Sequence, residues 1–255
     1  MGSIVRPLEV FTKAVTRSSC VWLGSCSSPS GERPCWQWLW DGAQERITND
    51  LGAIEMETRA RAARLKCPTA ITGNICGLSD FTRNFYKESQ CALLQETDDN
   101  RTDLSACLDL LRSANAPSPT IVLGGISGRA DRTFGTLHSL VTVQSDSSWS
   151  TPPPYVIILD GENLVCVLRK GSHRFEFDRL HLTGTCGIAP IFQNETLVTT
   201  NGYRWNLNRT PLAFGGAIST SNELTCDEVT VSTSQPLILT FELLSGSTNM
   251  TEPPH

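Results

Sequence analysis

The chain has 255 residues, room for one large domain or two small ones. Its 39% hydrophobic and 18% charged residues suit a soluble globular fold, and a net charge of −5 without any basic run argues against a nucleic-acid partner. No stretch reaches the roughly 18 apolar residues of a membrane helix, so no membrane partner is expected.

The N-terminal sequence MGSIVRPLEVF has no apolar signal-peptide core. Met1-Gly2 opens like a myristoylation motif, but Arg6 stands where that motif wants Ser or Thr. Residues 1–30 are Ser-rich, with Arg6, Lys13 and Arg17 against Glu9 alone, a weak organelle-targeting flavour set against a cytoplasmic reading. Cys20-Val21-Trp22-Leu23 reads as a first strand and the following GSCSSPSGERP as loop, with too little sequence for a helix before the next strand. Residues 36–41, WQWLWD, alternate bulky side chains and are expected to form a buried strand ending at Asp41. Strand ends are where α/β proteins place ligands. Residues 49–66 are good helix formers, with acids early and bases late, as the helix dipole favours.

Residues 98–132 carry the densest chemistry. Asp98, Asp99 and Asp103 lead into a helix whose apolar stripe is Leu104, Cys107, Leu108 and Leu111. Helix capping accounts for such acids on its own. A short strand, Thr120 to Leu123, then runs into Gly124-Gly125-Ile126-Ser127-Gly128-Arg129-Ala130-Asp131, and a second helical stripe follows with Phe134, Leu137 and Val141. Strand, glycine loop and helix in this order bring backbone N–H groups to a phosphate. Arg129 adds a fork donor for phosphate oxygens and Asp131 a possible metal ligand. Together these residues point to a magnesium-nucleotide site. The P-loop pattern G-x-x-x-x-G-K-[ST] is absent.

SDSSWSTPPP, 145–154, reads as a linker, after which the composition turns to β. YVIIL and LVCVL flank the hairpin signal Asp160-Gly161-Glu162-Asn163. HRFEFDRL alternates, a strand pair is expected around Asn201-Gly202, and EVTVST and LILTFEL read as a final pair. The tail, 246–255, is polar and expected to fray.

DDNRTDLSACL followed by GGISGRADR resembles the thiamine pyrophosphokinase family, whose pattern is an acidic D-Q-x-x-T-D-like segment, a helix, then G-G-x-G-G-R-x-D. GYRWNLNRTPLAFGGAISTSNEL resembles that family's W-x-L, F-G and S-T-S-N block. The resemblance spans roughly residues 36–243. It implies a Rossmann-like α/β domain with a mostly parallel sheet over 1–144, and an all-β sandwich or barrel-like thiamine-binding domain over 155–245. It implies pyrophosphate transfer from Mg-ATP to thiamine, giving thiamine diphosphate and AMP, in a homodimer. The implied metal ligands are Asp41, Asp98 and Asp103. The nucleotide would meet Gly42, Gly124, Gly125, Ser127, Gly128 and Arg129, with Asp103, Arg129 and Asp131 serving catalysis. Thiamine would meet Trp205, Ser219, Ser221 and Asn222. An indole face can stack a cationic thiazolium. The chain departs from the family in two places. Asp41-Gly42-Ala43-Gln44 meets its D-G-G-A-N only in part. Asn74 and Cys76 stand where its G-D-x-D-S has aspartates, and Cys is a poor ligand for a hard cation. The alternative reading is therefore a thiamine-binding homologue with weakened or lost turnover.

Ten cysteines and four N-x-[ST] sequons, at Asn100, Asn194, Asn208 and Asn249, suggest a rival secreted, disulfide-linked glycoprotein. Against it, Cys107 lies on an apolar helix stripe and Cys166 inside LVCVL, where free cysteine packs as a small hydrophobe. With no C-x-x-C pair, a zinc site is not expected.

Overall fold

The structure is a computed structural model that describes residues 3–11, 18–24, 33–116, 119–145, 156–191 and 195–252. In chain order the elements begin with β1 (Ser3–Val5), β2 (Ser19–Trp22), α1 (Cys35–Gly42), β3 (Glu45–Asn49), α2 (Asp50–Arg61), β4 (Ala70–Gly73) and α3 (Asp80–Glu88). There follow β5 (Ala92–Gln95), α4 (Asp103–Ser113), β6 (Thr120–Leu123), α5 (Ala130–Ser145), β7 (Val156–Asp160) and β8 (Asn163–Leu168). The last part holds β9 (Gly171–Glu176), β10 (Leu182–Pro190), β11 (Thr196–Asn201), β12 (Thr210–Leu212), β13 (Ser219–Glu223), β14 (Glu228–Thr233), β15 (Leu237–Leu243) and α6 (Ser245–Thr248).

A ten-stranded sheet runs in the order β13-β10-β15-β8-β7-β6-β2-β3-β4-β5. From β7 to β5 all neighbours are parallel, and from β7 to β13 all are antiparallel. The central strands are buried on both faces, which is why they read as continuous apolar runs. Val21, Val122 and Ile158 turn to one face, against Leu104, Leu108 and Leu111 of α4 and Leu140 of α5. Trp22, Ile121 and Ile157 turn to the other, against Trp36, Leu39 and Trp40 of α1. A five-stranded sheet, β1-β9-β14-β11-β12, packs Phe175, Val198, Val229 and Val231 into that second core beside Leu239 and Phe241. The expected parallel α/β half and β-sandwich half are thus both present, joined through one continuous sheet. Residues 146–155, most of the expected linker, lie outside the described residues.

Several expectations change. Residues 36–41 are helix, not strand. Cys35, Trp36, Leu39 and Trp40 share one buried helical stripe while Gln37 is exposed, so the period is 3.6 and not 2. That helix is the connection expected to be missing between the first two strands. Residues 3–5, unread in the sequence, add a parallel edge strand to β9. EVTVST and LILTFEL do not pair: β14 lies in the small sheet and β15 in the large one. The tail starts in order, with Ser247 and Thr248 buried in α6 and the Met250 carbonyl accepting from Trp38 Nε1 at 3.1 Å. Among the described residues the nine cysteines form no disulfide, and Cys107 and Cys166 sit in the core; Cys26 lies outside the described residues.

Candidate active site

In a parallel sheet every loop that follows a strand emerges at the same edge, and ligands gather there. At this edge stand Gly24 after β2, Asn49 and Asp50 at the end of β3, Gly73 and Asn74 at the end of β4, the glycine loop after β6, and Asp160 closing β7. The close approach of β2 to α2 demands glycine. A Cβ on Gly24 would lie 2.1 Å from the nitrogen of Gly52. Asn49, fully buried, ties the edge together. Its Oδ1 accepts from the N–H of Gly24 (2.9 Å) and of Gly52 (3.0 Å), and its Nδ2 donates to Asp103 Oδ2 at 2.9 Å.

Asp103 opens α4 behind the N-cap Thr102, so one carboxylate serves the helix dipole and faces the edge. Arg132 Nη1 lies 4.0 Å from Asp103 Oδ2 and donates to the Gly24 carbonyl at 3.2 Å. Asp50 opens α2, and its carboxyl is held above the usual carboxylate range, first by burial and then by the negative charge of Asp103. A cation between the two would relieve both effects.

Gly124, Gly125 and Gly128 adopt φ of +84°, +100° and +93°, which lets the loop fold sharply back on itself. Its inner N–H groups are already taken. The Gly124 N–H meets the Leu159 carbonyl at 2.9 Å, and those of Ile126 and Ser127 meet Asp160 Oδ2 at 2.8 and 2.7 Å. Arg129 donates to both carboxylate oxygens of Asp131, at 3.1 and 2.6 Å, and the pair is largely exposed. Arg129 thereby holds the Asp131 carboxyl below its usual range. A cavity of about 260 Å³ collects Asp103, Gly125, Ser127, Arg129, Asp131 and Arg132 on its wall. A larger one, about 730 Å³, opens between the N-terminal segment and the small sheet around Arg6, Phe177 and Leu180. It contains none of the site residues expected from the sequence, whereas the smaller cavity holds Asp103, part of the glycine loop and Arg129.

Other expected residues lie elsewhere. Asp41 and Gly42 end α1 just before β3, at the opposite edge of the sheet. There Asp41 Oδ1 accepts from the Lys66 N–H at 2.8 Å, and its carbonyl accepts from Lys66 Nζ at 2.6 Å. Because 36–41 are helix, Asp41 lies away from the carboxyl edge of the parallel strands. Asp98 is exposed in the loop after β5 and caps a turn, Oδ1 accepting from the Asn100 N–H at 2.9 Å. Among the described residues no three His, Cys, Asp or Glu side chains form a metal cluster, so Asp41, Asp98 and Asp103 do not converge. Asn74 caps the turn after β4, its Oδ1 accepting from the Gly77 N–H at 3.2 Å, and Cys76 is exposed. Asn49, Asp50 and Arg132 were not expected at this edge, and Asp160 was expected only in a hairpin. The strand end in ERITND was the signal for the first two.

Trp205, Ser219, Ser221 and Asn222 do come together, at the β13 edge. Trp205 is 55% exposed with the Arg204 guanidinium 4.9 Å from its ring centroid. Asn222 is buried. Its Nδ2 donates to the Trp205 carbonyl (3.0 Å) and Ser219 Oγ (3.1 Å), and its Oδ1 accepts from the Trp205 N–H (3.3 Å). Both amide protons are spent, so Asn222 builds the cluster and leaves the outward contacts to Trp205 and Ser221.

Residues 36–149 match the family model described as "Thiamin pyrophosphokinase, catalytic domain", and residues 172–238 match "Thiamin pyrophosphokinase, vitamin B1 binding domain". Thiamin pyrophosphokinase 1 of Caenorhabditis elegans is 32% identical over 248 residues, 95% of this chain and 96% of its own. The chain belongs to the thiamin pyrophosphokinase family. Thiamine pyrophosphokinase 1 of Arabidopsis thaliana is 27% identical over 215 residues, 80% of this chain and 76% of its own. Among solved structures, yeast thiamin pyrophosphokinase superposes with a TM-score of 0.79 at 20% identity, covering 96% of this chain and 92% of that one. The Bacillus subtilis thiamine pyrophosphokinase superposes at 0.68 and 19%, covering 89% and 99%. The segment after β3, Asp50-Leu51-Gly52-Ala53, also carries an Asp, a Gly and an Ala in the spacing of D-G-G-A-N, at the carboxyl end of a strand.

Proposed function

We propose that this chain transfers pyrophosphate from Mg-ATP to thiamine, releasing thiamine diphosphate and AMP, as a cytoplasmic homodimer. The observation that carries the reading is the convergence of the glycine loop, Arg129, Arg132 and Asp103 on one cavity at the carboxyl edge of the parallel strands. The donor set suits magnesium: Asp103 lines the cavity and Asp50 stands near enough to feel its charge, two oxygen donors for an ion that usually takes one or two carboxylates plus substrate phosphates. Asp50 and Asp103 would hold it, and it would supply neutralisation of the charge on the phosphate oxygens.

The thiamine hydroxyl attacks the β-phosphorus and AMP leaves. Transfer of this kind depends on alignment and charge neutralisation more than on a strong base. Arg132 is held between the Gly24 carbonyl and Asp103, and the outer loop groups Gly125, Gly128 and Arg129 take the phosphates. Asp131, kept ionised by Arg129, orients that guanidinium and is poorly suited to accept a proton. Thiamine lies against Trp205, Ser219 and Ser221.

Five strand steps separate β13 from β6, about 24 Å at ~4.8 Å each, too far for one thiamine to touch both within a chain. A second copy supplying its β13 edge closes that gap. Exposed Trp205, Phe214 and Ile218 beside this edge are the apolar surface such contact would cover. The second reading, thiamine binding without turnover, rests on Asn74 and Cys76; Asp50 beside Asp103 weighs against it. Chromatography of a reaction with thiamine and Mg-ATP tests the proposal. AMP should appear in step with thiamine diphosphate, and thiamine-dependent ADP would refute it.

A further inference from the structure

Asp160 is 1% exposed, and donors of the glycine loop meet its carboxylate. Its Oδ2 accepts from the N–H groups of Ile126 and Ser127, and the Ser127 hydroxyl lies 2.7 Å from Oδ1 and 2.9 Å from Oδ2. The carboxylate is the last residue of β7, a strand paired in parallel with β6, from which the glycine loop springs. It is therefore anchored to the sheet, and the loop is anchored to it. Hydrogen bonds to an ionised carboxylate are roughly twice as strong as neutral ones, and burial keeps water from competing.

Two successive N–H groups forming a small anion-binding nest are what a glycine loop ordinarily offers a phosphate. Here an internal carboxylate fills that nest. These inner N–H groups are committed to the protein, while Gly125 and Arg129 stand on the cavity wall. We propose that Asp160 is the positioning residue of the nucleotide site: it turns the inner N–H groups of the loop inward and so fixes the outer half in its phosphate-binding shape. The inference rests on the Mg-ATP reading above and assigns a role in it to a residue that touches no substrate.

The test measures steady-state KM for Mg-ATP and for thiamine, together with calorimetric binding of Mg-ATP without thiamine, in the full-length protein and three variants. Asp160→Ala should raise KM and Kd for Mg-ATP by about 10-fold or more, since one lost charged hydrogen bond already amounts to that much, while KM for thiamine stays within about 2-fold. Asp160→Asn keeps an oxygen for both N–H groups and should remain within about 3-fold of the parent for Mg-ATP. Asp160→Glu keeps the charge but pushes it outward by one methylene, and should behave like Asp160→Ala; it carries the test if the alanine variant does not fold. A residue that merely stabilised the fold would change Tm and the active fraction and leave both KM values alone. A folded Asp160→Ala or Asp160→Glu protein with unchanged Mg-ATP affinity would overturn the inference, as would an equal rise in both KM values. A parent protein that fails to bind Mg-ATP would instead remove the nucleotide reading itself, and the inference with it.

Discussion

Asp50 concentrates the conflict between stability and function in one side chain. It is half-buried, and Asp103 adds a like charge, so the folded protein holds its proton more tightly than the unfolded chain does. The sign follows from linkage. Between the unfolded value near 3.9 and the raised folded value, stability falls as pH rises, because the folded state must give up a proton it binds more strongly. Above that window the ionised carboxylate remains a standing cost. Asp50→Asn removes it and keeps an oxygen for the helix N-terminus. Thermal unfolding without magnesium should show a higher Tm for the variant at pH 7 and little difference at pH 4. Turnover should drop by about 100-fold or more, since a charge facing the transferring group is lost. A variant equally stable at both pH values, or fully active, would show that Asp50 is not part of a cation site. Such a trade is common where a site stores like charges for a ligand.

Among the elements, α1 shows what the sequence hid and why. W-Q-W-L-W-D has the aromatic content and alternation of a strand, and local propensity favours that reading. Tertiary packing decides otherwise. Trp36 and Trp40 both meet Trp22 edge-on, at 5.1 and 5.9 Å between ring centroids, which requires residues four apart on one helix face. Reading a strand there set the expected ligand position at Asp41, nine positions before Asp50, which opens the helix after β3 at the carboxyl edge. Where period and turn chemistry agreed, as in α4, β6 and the glycine loop, the sequence reading holds. Asp160 was legible only as a hairpin residue, because its partners lie more than thirty positions away. The turn after β4 gives the test at this scale. A Cβ on Gly73 would lie 2.6 Å from Asp50 Oδ1, so the turn borders the carboxylate pair. The double change Asn74→Asp with Cys76→Asp keeps the cap to Gly77 and adds two charges. It should lower the magnesium needed for half-maximal rate by about 3-fold or more, because affinity for hard cations follows ligand charge. A folded, active double mutant with unchanged magnesium dependence would show that this turn does not approach the metal.

For the whole molecule, the proposal sets the two halves of the chemistry five strands apart on one sheet, at β6 and β13. A shared site predicts complementation. Asp103→Asn disables the phosphate half and Trp205→Ala the thiamine half. Each homodimer should be nearly inactive at low thiamine. A 1:1 mixture reassembled from separated subunits should recover about a quarter of the parental rate, since half the dimers are mixed and each holds one intact site of two. Activity no greater than the sum of the two variants would place the whole site in one chain. The central claim, transfer of pyrophosphate as one unit, is tested most directly by following label from ATP carrying phosphorus-32 at the α, β or γ position. The account predicts that β and γ label both enter thiamine diphosphate while α label stays in AMP. Transfer of γ label alone, with ADP as the nucleotide product, would contradict it.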